Sequence, residues 1–290
     1  MKATLRIDAK SLLGEGPCWD GKSQRFYWVD ILGKTVHCFQ PETETTEVTE
    51  VGDLVGAVVV REQGGLLVAT QTGFYTLDEA TGEAELISNP EPELADNRFN
   101  DGKCDPAGRF WAGTMDIDEQ KPSGSLYVLH PDRTVEQKLS DITISNGLAW
   151  SSDRKTMYYI DSPTKQVVAF DYELATGEIT NKRVVVTIPE GEGIPDGMTI
   201  DQDDMLWVAQ WGGYKVSRWN PRTGERIGEV AVPAKQVTSC CFGGEQLDEL
   251  FITTARRGLS EEELQRFPHS GGVFHIKPGV KGTPSYSFKG

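Results

Sequence analysis

The sequence predicts an all-β fold: a six-bladed β-propeller with four-stranded blades, forming a single domain over residues 1–290. Three observations carry this. A strand-like apolar phrase recurs six times, as Arg25–Asp30, Gly65–Thr70, Arg109–Thr114, Thr156–Asp161, Met205–Gln210 and Glu249–Thr254. The second residues of these phrases lie at 26, 66, 110, 157, 206 and 250, so the period runs from 40 to 49 residues. Between the copies the chain reads as strands and turns, and repeats of roughly 40–50 residues built of strands mark a propeller.

The remaining strands follow from the spaces around each phrase. Upstream lies a short apolar run, as at Pro17–Trp19, Ala57–Val60, Leu148–Trp150 and Met198–Ile200. Downstream come two more strands around a turn, the clearest at Gln40–Thr43, Asp78–Gly82, His130–Asp132, Leu174–Gly177 and Asn220–Gly224. Pro, Asn, Asp and Gly supply the turn dihedrals there. Stretches such as Gln166–Phe170 and Lys215–Trp219 alternate as strands with one packed face. After Gly272 the sixth repeat has one clear strand, Val273–Ile276, and Thr4–Ile7 is expected to pair with it. That pairing closes the ring with both termini and removes the open edge. One helix is expected, with Ser260 and Glu263 as a capping box and Pro268 limiting its end.

Composition narrows the function classes. The net charge of −15 disfavours nucleic acid and anionic membrane as partners. No segment has the apolar length of a signal peptide core or a membrane span. Five cysteines without C-x-x-C spacing suit buried thiols in a reducing cytoplasm. The four histidines lie off the repeat phase of the candidate site and there is no G-x-S-x-G, which argues against a Ser–His–Asp hydrolase.

A propeller places one position of every repeat around a common channel. Ten or eleven residues before each phrase position stand Glu15, Val55 with Gly56, Asn100, Asn146, Asp196, and Ser239 with Cys240. Four of six repeats thus bring a carboxylate or carboxamide to one channel mouth. Each alone reads as an ordinary turn former at a strand start. Together, converging oxygens call for a cation, and hard oxygen ligands suit calcium, magnesium or manganese, with zinc compatible where carboxylate and water complete its shell. Arg98 lies two residues before Asn100, on the same strand face, and is expected to reach the same mouth. Asp101 is expected to point away, and Asp116, Asp118 and Glu119 occupy a polar rim loop.

Gly14-Glu15-Gly16-Pro17, Asn97-Arg98-Phe99-Asn100-Asp101-Gly102-Lys103, Ser145-Asn146-Gly147-Leu148, Ile194-Pro195-Asp196-Gly197-Met198 and Thr238-Ser239-Cys240-Cys241-Phe242-Gly243-Gly244 resemble the regucalcin (senescence marker protein)/gluconolactonase family. The resemblance runs from Gly14 to Ser287. It implies a six-bladed propeller, one divalent metal ion and hydrolysis of sugar lactones. By motif, Glu15, Asn146 and Asp196 correspond to metal ligands, and Arg98 and Asn100 to substrate-binding residues. Asp196 also corresponds to the proposed proton donor and acceptor, and Asp118 is the nearest match to a rim residue that contacts substrate. The rival readings are a calcium-binding regulatory protein, a propeller used as a protein-interaction scaffold, and a lactonase acting on a non-sugar ring.

Overall fold

The computed structural model describes residues 1–290. β1 (Thr4–Ile7) opens the chain. β2 (Gly14–Asp20), β3 (Arg25–Asp30), β4 (Thr35–Gln40) and β5 (Thr45–Glu50) form an antiparallel sheet in that order. The same pattern repeats in β6 (Val55–Val60), β7 (Leu66–Thr70), β8 (Gly73–Leu77) and β9 (Ala84–Ser88). It repeats in β10 (Asn97–Cys104), β11 (Phe110–Asp116), β12 (Gly124–Leu129) and β13 (Val135–Ile142). A fourth sheet holds β14 (Ser145–Trp150), β15 (Thr156–Asp161), β16 (Gln166–Glu173) and β17 (Glu178–Thr187).

The other strands make one eight-stranded sheet from two runs of four. The first run is β18 (Ile194–Ile200), β19 (Leu206–Trp211), β20 (Lys215–Asn220) and β21 (Glu225–Ala231). The second is β22 (Gln236–Gly243), β23 (Glu249–Ala255), β24 (Val273–Ile276) and the N-terminal β1. A single residue pair, Trp211 with Gln236, joins the runs. β1 pairs with β24 through Thr4–His275 and Leu5–Phe274, as the alternation of the N-terminus predicts. The lone helix, α1 (Glu261–Arg266), carries the expected Ser260–Glu263 capping box. No helix is long and apolar enough to cross a membrane, and all five cysteines are free and buried.

Burial falls from the first strand of each run to the last. β14 and β22 are buried throughout, whereas β5 and β9 hold no buried residue. The recurrent phrases supply the largest buried side chains, among them Phe26, Trp28, Phe110, Trp111, Tyr159 and Trp207. The first strands touch one another in sequence: β2 meets β6, β6 meets β10, β10 meets β14, β14 meets β18, β18 meets β22, and β22 meets β2. Glycine permits this approach. A Cβ on Gly56 would collide with the Phe99 carbonyl, and one on Gly197 with the Ser239 side chain.

Each of these first strands also slips register near its start, between Glu15 and Cys18, Val55 and Ala57, Phe99 and Gly102, Asn146 and Leu148, Pro195 and Met198, or Val237 and Ser239. A bulge breaks the strict alternation of a strand and re-aims the side chains beside it. The candidate residues sit at these irregularities.

Candidate active site

A cavity of about 290 Å³ opens where the first strands begin. Glu15 of β2, Arg98 and Asn100 of β10, Asn146 of β14 and Asp196 of β18 all line it. Five of the six residues predicted from sequence are therefore brought together. Asp118 is not: it is exposed and outside the cavity lining. Its neighbour Glu119 lines the cavity instead, at a positive φ of 61°, and pairs with Arg257 at 2.5 Å. Residue counting points to Asp118, whereas the β11–β12 loop turns Glu119 towards the cavity.

The buried polar groups form a directional chain. Arg98 Nη1 donates to the Phe99 carbonyl at 3.0 Å and to Asn100 Oδ1 at 2.8 Å. Asn100 Nδ2 donates to the Ser145 carbonyl at 2.7 Å and to Asn146 Oδ1 at 3.1 Å. Asn146 Nδ2 donates to Ser162 Oγ at 2.8 Å, and the Ser162 hydroxyl donates to the Pro195 carbonyl at 2.7 Å. A guanidinium only donates, so it holds the Asn100 oxygen towards itself. The Ser162 proton is committed to Pro195, so that hydroxyl accepts from Asn146 and fixes the amide with its oxygen turned towards Asn100. Each amide oxygen accepts one hydrogen bond, but the donor to Asn100 Oδ1 is the Arg98 cation whereas the donor to Asn146 Oδ1 is a neutral amide, so the Asn146 oxygen is the better placed to face a metal cation. Ser162 was not among the residues singled out from sequence; it follows the fourth phrase in a 3₁₀ turn, Ser162–Thr164, and only the fold brings it under Asn146.

The two carboxyl groups lie in a different electrostatic state. Glu15 is 4 % exposed and accepts one backbone hydrogen bond, from Gly16 at 2.9 Å. Burial pushes its carboxyl up to about 8, and the charge of Asp101 adds to the effect. Asp196 is raised well above the usual carboxylate range by burial first, then by Glu15 and Asp101. Arg98 is lowered to about 10, chiefly by burial and then by Arg257. Asp101, expected to point away, lies outside the cavity lining; it is buried and accepts from the Gly102 N–H at 2.7 Å, and its charge still adds to the rise at both carboxyl groups.

Two buried carboxyl groups with so few donors fit a hard divalent cation, which would offset both charges. Asn146 Oδ1 fits as a neutral third oxygen. No group of three or more His, Cys, Asp or Glu side chains is placed to hold a metal, so such a site depends on the amide.

Repeated four-stranded antiparallel units, with a mixed carboxylate–amide cavity at the starts of their first strands, define the class of protein. The chain belongs to the SMP-30/gluconolactonase/LRE-like family, whose model matches residues 13–256. YvrE of Bacillus subtilis, provisionally named a sugar lactone lactonase, is 39 % identical over 290 residues, covering 100 % of this chain and 99 % of the relative. Regucalcin of Danio rerio is 42 % identical over 298 residues, covering 100 % and 99 % respectively. The solved structure of a calcium-binding regucalcin from Agrobacterium tumefaciens superposes with a TM-score of 0.94 at 28 % identity, covering 100 % of this chain and 97 % of that one.

Proposed function

We propose that this protein hydrolyses sugar lactones to aldonic acids with the help of one divalent cation, on a closed ring of six four-stranded blades forming one domain. The observation that carries the reading is the pair Glu15 and Asp196. Both line the cavity, and burial raises both proton affinities in a chain of the gluconolactonase family. The circuit of contacts from β2 through β22 and back to β2 supports the ring.

Glu15, Asp196 and Asn146 Oδ1 would hold the cation. When bound, it supplies Lewis-acid stabilisation of the charge that develops on the lactone carbonyl oxygen. Asp196 takes a proton from the attacking water as the new C–O bond forms, and returns it to the ring oxygen as the ring C–O bond breaks. Arg98 and Asn100 orient the substrate, with the Asn100–Asn146 hydrogen bond holding that wall in register. Glu119, at the cavity rim, takes the substrate-contacting role that residue counting assigns to Asp118.

The test is a pH-indicator screen of aldonolactones with chelator-stripped protein, adding back calcium, zinc, manganese and magnesium separately. Acid release restored by a divalent metal is expected. Full activity in the stripped protein would remove the metal role. A second reading, a calcium-binding protein without turnover, draws on the calcium-binding description of the Agrobacterium tumefaciens relative. Calcium binding with no acid release from any lactone would favour it.

A further inference from the structure

Six buried side-chain polar atoms lack a hydrogen-bond partner, and only Gln236 Oε1 among them belongs to a residue lining the cavity. Gln236 is 6 % exposed and begins β22. Its amide lies between two glycines, with no close contact from either. A Cβ on Gly212 would lie 3.9 Å from Oε1, and one on Gly258 would lie 4.0 Å from Nε2.

The neighbours of Gln236 give this wall a mixed character. Trp211 pairs with Gln236 across the strands and also with Ile194, and all three line the cavity. Arg257 lies two residues beyond Ala255, the β23 partner of Gln236. An indole beside an aliphatic side chain suits the C–H face of a small ring, and the carboxamide suits its hydroxyl edge. The cavity volume, about 290 Å³, sits at the small end of ligand sites.

On the opposite wall the carboxamide has less free capacity. β22 touches β18 and β2, whereas β10 touches β14 and β6, so the two walls face each other across the intervening strands. On β10, Asn100 spends its oxygen on Arg98 and its nitrogen on Ser145 and Asn146.

We propose that Gln236, backed by Trp211, forms a second binding wall that reads hydroxyl groups of a polyhydroxylated ligand on the side of the cavity away from Arg98 and Asn100. The proposal rests on the lactonase reading for the identity of that ligand. A hydroxyl both donates and accepts, so it satisfies whichever end of the amide turns towards it. A ring without hydroxyls leaves the amide unpaired, and sites built this way discriminate strongly between the two.

The experiment uses metal-replete wild type, Gln236→Ala and Gln236→Leu, the second keeping much of the side-chain volume. With D-gluconolactone as substrate, KM should rise roughly 5- to 30-fold in both variants while kcat stays within about threefold, the range expected for one or two lost hydrogen bonds. The inhibition constant of δ-valerolactone, which has no hydroxyl, should stay within about twofold. An unchanged KM, or equal weakening for both ligands, overturns the proposal. Absence of turnover in the wild type defeats the lactonase reading separately. Calorimetric binding of gluconate then decides the wall: weaker binding by the variants upholds it, and equal or absent binding overturns it.

Discussion

Two sets of buried carboxylates in this molecule are treated in opposite ways. Asp105 is fully buried and accepts from Arg109 Nε at 2.6 Å, Tyr172 Oη at 2.7 Å and Trp111 Nε1 at 2.8 Å. Backbone N–H groups of Ala107 and Arg109 complete its shell. Asp201 repeats the arrangement with Trp207 Nε1 at 2.9 Å and Arg218 Nε at 2.8 Å. Each sits in the turn before a recurrent phrase, where it ties that turn to the strand that follows. In the cavity, Glu15 has one backbone donor, and the strongest influences on Asp196 all raise its proton affinity. The protein satisfies the first set by itself. The second set lacks such partners, the contrast expected between carboxylates that serve folding and carboxylates that serve a ligand.

The largest expected effect breaks the comparison at its functional side. Asp196→Asn should lower lactonase kcat by about 10³-fold or more, since it removes both the base and a charge of the cation site. The same change should stabilise the metal-free protein, because an amide need not take up a proton on folding as the raised Asp196 carboxyl does; urea unfolding in chelator at neutral pH checks this. Asp105→Asn should do the reverse. It leaves the buried Arg109 without its anion, so it should cost about 3 kcal/mol of stability while kcat of the folded protein stays within about threefold.

The pH dependence of the metal-free protein sharpens the contrast. Glu15 has a folded value raised to about 8 from an ordinary value of 4.5. Between those limits the folded state holds a proton that the unfolded state has released, so stability should fall as pH rises from about 4.5 to about 8 and level off above. Denaturant midpoints across that window measure it. Added divalent metal should flatten the slope, and an unchanged slope would contradict a cation bound at these carboxyl groups.

A smaller effect is expected at Ser162. Ser162→Ala frees the Asn146 amide to turn and should weaken metal affinity about 10-fold, read by competition with a chelator. In an Asn146→Asp background the same serine change should not weaken it, because a carboxylate presents oxygen in both orientations. Smallest is Glu119→Gln, which removes the charge paired with Arg257 at the rim and should shift KM by a few-fold with kcat unchanged.

Much of this was legible in the chain. The repeat period located the sheets, and counting back ten or eleven residues from each phrase found Glu15, Asn100, Asn146 and Asp196, all of which line one cavity. What failed to read depends on bulges and hydrogen bonds. Alternation turns Asp101 away and it does not line the cavity, but its buried charge still acts on the two carboxyl groups, which no pattern of spacing reveals. The same count in the sixth repeat reaches Ser239, whereas the cavity residue is Gln236, because β22 starts early and slips register after Val237. Asn100 and Asn146 look equivalent by phase. Only the hydrogen bonds show that one oxygen faces the Arg98 cation and the other a neutral amide donor.

The central claim is that Glu15 and Asp196 are left underpaired for a divalent cation. Calorimetric titration of chelator-stripped wild type with calcium and with zinc, in two buffers of different ionisation enthalpy at neutral pH, tests it most directly. One site per chain with measurable proton release is predicted, because the raised carboxyl groups must ionise to bind metal, and Asp196→Asn should abolish tight binding. Wild type that binds neither metal, or an Asp196→Asn protein that binds as tightly as wild type, would contradict the account.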